Sequence, residues 1–275
     1  MEILDAIILG VIQGLTEFLP VSSSGHLVLG GELLGLTESH LTFDVVVHVA
    51  TLMVTLGFYR ASVMGIGKSL VQNLGSVFSL TTWMDGFKAW PELRLLFLIV
   101  VGSVPTAVIG LLFKDELEGL FGSPRLVSGM LLVTAGILWL TTRRSDTSRG
   151  ISEMRVRDAL LIGLLQGFAV IPGISRSGST IACALLLGVE RELAVRFSFL
   201  LSVPAILGAL LLQVLDVLET GHVLEPVPMA AGFLAAVVVG VGALMMLIPL
   251  VNQGRLHYFA MYLVPVGILG IVVLP

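Results

Sequence analysis

Gln13-Gly-Leu-Thr-Glu17-Phe-Leu-Pro20-Val-Ser22-Ser23-Ser24-Gly25-His26 interrupts a sequence that is otherwise almost wholly apolar, and an echo of it stands at Gln166-Gly167 and Pro172-Gly173-Ile174-Ser175-Arg176-Ser177-Gly178-Ser179-Thr180. Both stretches set a proline, a glycine, hydroxyls and ionisable groups among long hydrophobic runs. In hydrocarbon an unpaired charge or a broken backbone costs roughly several kcal/mol. Residues kept against that cost point to a function.

The apolar runs around these stretches set the fold class. At 56% hydrophobic and 12% charged residues, with a mean hydropathy of +1.03, the 275-residue chain holds more apolar surface than a soluble domain buries. It reads as an all-α polytopic membrane protein, one integral membrane domain over 1–275, with bilayer lipid as its surroundings. The net charge of −4 and the lack of a dense basic stripe exclude nucleic acid as an expected partner. Cys183 is the one cysteine, which excludes an intramolecular disulfide and a cysteine-rich metal site, and it reads as a small core residue. The opening Met-Glu-Ile-Leu-Asp has no basic region, so the first apolar run is expected to stay in the mature protein.

The apolar runs predict short helices over 6–19 and 25–36, each below the about 20 residues that a bilayer span requires. Pro20 lacks an N–H and disfavours helix in the residue before it, while Ser22 to Ser24 are natural caps for a helix restarting at Gly25. The pair is expected to be a re-entrant hairpin that enters and leaves on one side. Spans follow at 42–59, 94–113 and 125–142, joined by a long polar segment at 60–93 and a short acidic one at 114–124. The pattern then restarts with short helices over 158–171 and 179–190 and spans at 195–214, 227–250 and 256–274. Pro105, Pro204, Pro249 and Pro265 fall inside spans and read as packing features.

Gln13 and Gln166, Ser22 and Ser175, Ser24 and Ser177, and Gly25 and Gly178 are all 153 positions apart. The chain is therefore read as two copies of one unit, about 1–142 and 158–275, joined by a linker at 143–157. A hairpin and three spans per copy make the number of crossings odd, so the second copy is expected to be inverted and the two hairpins to meet near the midplane. Arg143, Arg144, Arg149, Arg155 and Arg157 mark the linker as cytoplasmic, as Arg60, Lys68, Lys88 and Arg94 mark the 60–94 segment. The acidic segments at 114–124, with Asp115, Glu116 and Glu118, and 215–226, with Asp216, Glu219 and Glu225, then lie outside, together with both termini and the mouth of the first hairpin.

In each hairpin the second helix starts at the break, so its free N–H groups and positive dipole end face the centre. Two such ends with Arg176 make a site for a strongly anionic group, and Arg176 offers a planar fork suited to phosphate. The rival role for Arg176 is as counter-ion to a buried carboxylate, Glu17 or Asp44. Ser22, Ser24, Gly25, Gly173, Ser175, Ser177, Gly178 and Thr180 are the remaining candidates for binding the anion. Glu17 lies four residues after Gln13 and shares its helix face, a pair of oxygen donors suited to a hard divalent cation, Mg²⁺ or Ca²⁺. Ser23 and His26 lie one turn apart and could form an activated pair, with Ser23 or His26 as nucleophile or with a metal-activated water in its place. His48 reads as a packing contact, and His40, His222 and His257 are given no role.

Glu17-Phe-Leu-Pro-Val-Ser-Ser-Ser-Gly-His26 and Pro172-Gly-Ile-Ser-Arg-Ser-Gly-Ser-Thr180 resemble the two signature motifs of the bacterial undecaprenyl-diphosphate phosphatases, the bacitracin-resistance family, and the resemblance covers essentially the whole chain. It implies an inner-membrane enzyme that hydrolyses the C55 polyprenyl diphosphate to the monophosphate and so regenerates the lipid carrier for peptidoglycan and other wall polymers. By the same resemblance Glu17 is tied to the divalent cation, Ser23 is a nucleophile, His26 a base or nucleophile, and Arg176 the phosphate-binding residue, with Ser175, Ser177 and Thr180 around it. Gln13 departs from a pattern in which many members carry glutamate.

The rival from another class is a polyprenyl-phosphate transporter or flippase, since broken helices in inverted repeats also build transporters. An intramembrane serine protease fits poorly, because it has no use for an arginine-bearing second loop. The run Gly240 to Ala243 permits close helix packing within the chain or between two copies, which leaves a homodimer open.

Overall fold

A computed structural model describes residues 1–36, 41–85, 87–143, 148–220 and 226–274. His40, Arg144, His222 and Glu225 lie outside the described residues, as do the side chains of Asp115, Glu118, Asp216 and Glu219. Among the described residues the chain is helical, and its one β-type pairing is an isolated Arg149–Val189 bridge.

Two short helices open the chain, α1 (Ile3–Phe18) and α2 (Ser23–Leu33), separated by the proline turn. They are followed by α3 (Leu41–Phe58), α4 (Arg60–Gln72), α5 (Leu74–Val77), α6 (Leu80–Met84), α7 (Pro91–Leu112), α8 (Lys114–Leu120) and α9 (Pro124–Leu140), the last extended by a 3₁₀ turn at Thr141–Arg143. A second short pair, α10 (Val156–Phe168) and α11 (Arg176–Leu186), precedes α12 (Arg191–Thr220), α13 (Pro226–Asn252) and α14 (Tyr258–Val273). Helix starts are chemically marked: Pro91, Pro124 and Pro226 take first positions where a missing N–H costs nothing, and Ser123 caps α9 through the Leu126 N–H at 3.3 Å. The four internal prolines sit within uninterrupted helices.

Four of the described helices are long and apolar enough to cross a membrane, and the pair α3 and α4, bent by 71° at Tyr59, makes a fifth if taken as one span. Their outward faces carry Leu111, Leu211 and Val238, each more than 60% exposed, which suits lipid rather than water. The chain is a helical membrane protein. Two expectations change. The segment at 60–93 is not simply a polar connection, since it folds into α4 to α6 before α7 begins at Pro91. The last span is shorter than 256–274 suggested, with 16 helical residues in α14.

Packing is set by glycines that let backbones touch. A Cβ on Gly10 of α1 would lie 2.3 Å from the Gly232 carbonyl oxygen of α13, and one on Gly163 of α10 would lie 1.8 Å from the Gly102 oxygen of α7. Gly10 and Gly163 are themselves 153 positions apart, so each short helix leans on a long helix from the other half of the chain. Gly240 is used within the chain, against the Phe18 ring. The linker after residue 147 is clamped: Arg149 pairs with Asp158 at 2.5 Å, and Arg94 donates to the carbonyls of Ile151 at 3.0 Å and Met154 at 2.5 Å.

Gly10→Ala and Gly163→Ala are each expected to lower stability by about 1–3 kcal/mol through overpacking. Gly67→Ala on α4, where an added Cβ meets nothing within 4 Å, is the control expected not to destabilise. Thermal unfolding in detergent distinguishes them.

Candidate active site

Both breaks use the same local device. Ser22 adopts φ +74°, and its Oγ accepts from the Gly25 N–H at 3.2 Å; Ser175 Oγ accepts from the Gly178 N–H at 3.0 Å. Each capping hydroxyl also meets the serine two residues on, Ser24 and Ser177, at 3.3 Å. Side-chain caps of this kind satisfy donors at a helix start and leave the following N–H groups facing outward.

The breaks pack on each other. A Cβ on Gly25 would stand 3.1 Å from Gly173 Cα, and one on Gly178 would stand 3.2 Å from Pro20 Cβ. Ser177 Oγ donates to the Leu19 carbonyl at 3.4 Å. Gly173, at φ +94°, lies so close to α9 that a side chain would strike the Val127 carbonyl oxygen at 2.3 Å, so only glycine fits there.

Glu17 is the hub. It is buried, and its Oε1 is paired with the Arg176 guanidinium. Its Oε2 accepts from Ser23 Oγ at 2.6 Å and from Gln13 Nε2 at 3.1 Å, with His48 Nε2 at 4.0 Å. Ser23 and Arg176 are the first residues of α2 and α11, so the two helix starts deliver a hydroxyl and a cation to one carboxylate. The partner of Arg176 is thus Glu17 and not Asp44.

The structure corrects the expected Ser23–His26 pair. His26 Nδ1 lies 2.8 Å from the Ser22 carbonyl oxygen and Nε2 lies 2.9 Å from Tyr262 Oη, so both ring nitrogens are engaged away from Ser23. Thr180 does not line the opening either: it is fully buried, and its hydroxyl donates back along α11 to Arg176 O at 2.9 Å and Ser177 O at 3.3 Å. Ser22 and Ser175 are buried caps, and Ser24 and Ser177 sit beside them.

Three contributors escaped the sequence reading or were underweighted by it. His48 reads in sequence as a packing contact, yet its ring reaches toward Glu17. Tyr262 stands 236 positions from the histidine it contacts. Thr134 of α9, fully buried, donates to Gly173 O at 2.9 Å and accepts from the Ser175 N–H at 2.9 Å, which holds the second break in shape. A hydroxyl on an apolar helix at 134 is a weak signal, and no spacing rule connects it to 173 or 175.

For a cation the donor set is small. Among the described residues no group of three or more His, Cys, Asp or Glu is placed to hold a metal. Gln13 Oε1, however, is buried without a hydrogen-bond partner one helical turn from Glu17. One carboxylate and one free amide oxygen fit a hard cation that takes its other ligands from substrate phosphates and water.

A sequence model of the family described as bacitracin resistance protein BacA matches residues 6–269. The undecaprenyl-diphosphatase of Desulforapulum autotrophicum is 48% identical over 276 residues, covering 99% of this chain and 98% of its own length. That of Desulfosudis oleivorans is 48% identical over 266 residues and 95% of each chain, and that of Methanosphaera stadtmanae 41% identical over 276 residues, 99% of this chain and 98% of its own.

Thr134→Val keeps the shape of the side chain and strands the Gly173 carbonyl and the Ser175 N–H. It is expected to cost about 1–3 kcal/mol, read as a lower unfolding temperature in detergent.

Proposed function

The chain belongs to the bacitracin resistance protein BacA family, and on that premise we propose that it hydrolyses undecaprenyl diphosphate to undecaprenyl phosphate and inorganic phosphate. The reading extends to recycling of the lipid carrier for cell-wall polymers and to bacitracin resistance. The observation that carries it is the meeting of Ser23, Arg176 and Glu17 at the facing starts of two helices.

In this mechanism the diphosphate displaces Glu17 from Arg176, whose guanidinium takes the phosphate oxygens together with N–H groups at the starts of α2 and α11. Ser23 Oγ attacks the terminal phosphorus and gives its proton to Glu17 Oε2, the oxygen it already touches. The P–O bond to the bridging oxygen breaks, and polyprenyl phosphate leaves with that oxygen and its electron pair. Water, giving a proton to His26, then attacks the phosphoserine; the bond from phosphorus to Ser23 Oγ breaks as Glu17 returns its proton to that oxygen, and inorganic phosphate is released. Glu17 and Gln13 would hold a Mg²⁺ or Ca²⁺ ion, which when bound neutralises charge on the phosphate oxygens. Ser24, Gly25, Gly173, Ser177 and Gly178 form the floor under the anion. The prenyl tail stays in lipid between helices.

The same reading includes the architecture. The two halves form inverted repeats, each a re-entrant hairpin with three spans, supported by the matching caps and by the reciprocal contacts of Pro20 with Gly178 and of Gly173 with Gly25. The protein sits in the inner membrane with its site and both termini toward the periplasm, supported by the arginines of the 143–157 linker. The site is built from one chain, and a homodimer is not required by it.

Phosphate release from a C55 prenyl diphosphate by purified protein in detergent is the test. Wild type is expected to be active and to lose activity with EDTA, while Ser23→Ala, Glu17→Gln and Arg176→Ala each lower kcat by about a hundredfold or more, some 2.7 kcal/mol of transition-state stabilisation. Binding of the lipid without phosphate release under any divalent cation would reject hydrolysis in favour of a carrier. Full activity of Ser23→Ala would remove Ser23 as nucleophile.

A further inference from the structure

We propose that Tyr262 of α14 is a positioning residue for His26, holding the basic nitrogen of that ring in place until the reacting water takes over its hydrogen bond. The proposal rests on the phosphatase reading of the site.

The tautomer follows from the contacts. His26 Nδ1 is 2.8 Å from the Ser22 carbonyl oxygen. A carbonyl can only accept, so Nδ1 carries the hydrogen and Nε2 of the neutral ring is the acceptor. Tyr262 Oη lies 2.9 Å from that nitrogen and donates to it. The two rings also stack, with centroids 5.7 Å apart and planes 15° from parallel, which limits tilting of the imidazole as well as its rotation.

Both ends of the clamp are anchored. Ser22 is buried at φ +74° with its side chain locked onto the Gly25 N–H, so its carbonyl has a fixed direction. Tyr262 is fixed by its helix: a Cβ on Gly267 would fall 2.9 Å from the Ser128 carbonyl oxygen of α9, and one on Gly270 would fall 2.2 Å from Ser128 Oγ. The close approach of both glycines to Ser128 seats α14 against α9. Tyr262 is itself 46% exposed, so its hydroxyl is not sealed onto His26 and can be replaced by an incoming donor. A lone pair that is already aimed spares the reorientation that a free imidazole needs.

The test uses the full chain in detergent and phosphate release from a C55 prenyl diphosphate. Tyr262→Phe removes only the hydroxyl and is expected to lower kcat by about tenfold or more with KM changed by less than about twofold. In a His26→Ala background it is expected to cause no further loss, because the group it positions is gone. Tyr258→Phe on the same helix is the control expected to match wild type. Wild-type kcat in Tyr262→Phe, a loss confined to KM, or a loss that multiplies onto that of His26→Ala overturns the proposal and leaves the phosphatase reading intact. The ¹⁵N spectrum of histidine-labelled protein reads the clamp without turnover, with the His26 signals identified by their absence from His26→Ala. Loss of the hydroxyl is expected to shift Nε2 and spare Nδ1, and an unmoved Nε2 overturns the clamp. If wild type releases no phosphate, the phosphatase reading falls, while the spectrum still decides whether Tyr262 holds His26.

Discussion

Within a helical membrane protein, a carboxylate on α1 and a guanidinium on α11 can share a low-dielectric interior only by facing each other, and the ion pair of Glu17 with Arg176 meets that condition. Removing one partner of such a pair leaves the other as an uncompensated buried charge, at a cost of about 3–5 kcal/mol. The pair joins residues 159 positions apart, so it ties the first break to the second as well as neutralising charge. It also keeps the site ready for an anion: a diphosphate that takes Arg176 releases the carboxylate, which then needs a proton or a cation. In the proposed mechanism the Ser23 hydroxyl would supply the first, and the free oxygen of Gln13 would help to hold the second.

The glycines make that meeting sterically feasible. Gly10 and Gly163 bring α1 and α10 into backbone contact with helices of the opposite half, and Gly173 brings the second break within contact of α9. Side chains at these points would push the short helices outward, and the charged pair would lose its alignment before any catalytic group was touched. Packing in lipid depends on this kind of closeness, because apolar surface alone gives no preference for helix over lipid tail.

Much of this arrangement was legible in the sequence. Pro20 and Pro172, the serine caps and the apolar runs place four short helices and the longer ones close to where they occur, since proline and capping chemistry act within a few residues. The site was legible as a set of residues but not as a set of contacts. Ser23 and His26 share one turn of helix, which suggests a pair, yet the positive φ at Ser22 turns its carbonyl to the histidine and leaves Ser23 to Glu17. Thr134 and Tyr262 carry no local signal at all, because their partners lie 39 and 236 positions away and only the folded chain brings them together. The 60–93 segment differs for another reason: its Lys, Ser and Asn content masks α4, which bends 71° away from the span before it, and the two short helices that follow.

The residues 153 positions apart at the two breaks also bear on why they build one site rather than two. Positions 153 apart share the serine cap and its hydrogen bond to the glycine three residues on, although Ser22 stands at φ +74° and Ser175 at φ −71°, and their other side chains differ. Ser23 corresponds to Arg176, Glu17 to Val170 and His26 to Ser179. The first half therefore brings the hydroxyl, the carboxylate and the imidazole, and the second brings the cation. Gln166 shows what the shared frame does without a carboxylate beside it: its amide donates to Thr106 at 3.2 Å and to the Leu201 carbonyl at 3.3 Å and joins α10 to α7 and α12. Gln13 at the equivalent place donates to Glu17 instead. Two similar frames facing each other would give a symmetric pocket, whereas a diphosphate lipid has distinguishable ends, a terminal phosphate to be cut and a prenylated one to be kept. Placing the carboxylate and the imidazole in the first half and the guanidinium in the second makes the site asymmetric in the same sense, as a substrate with one productive direction requires.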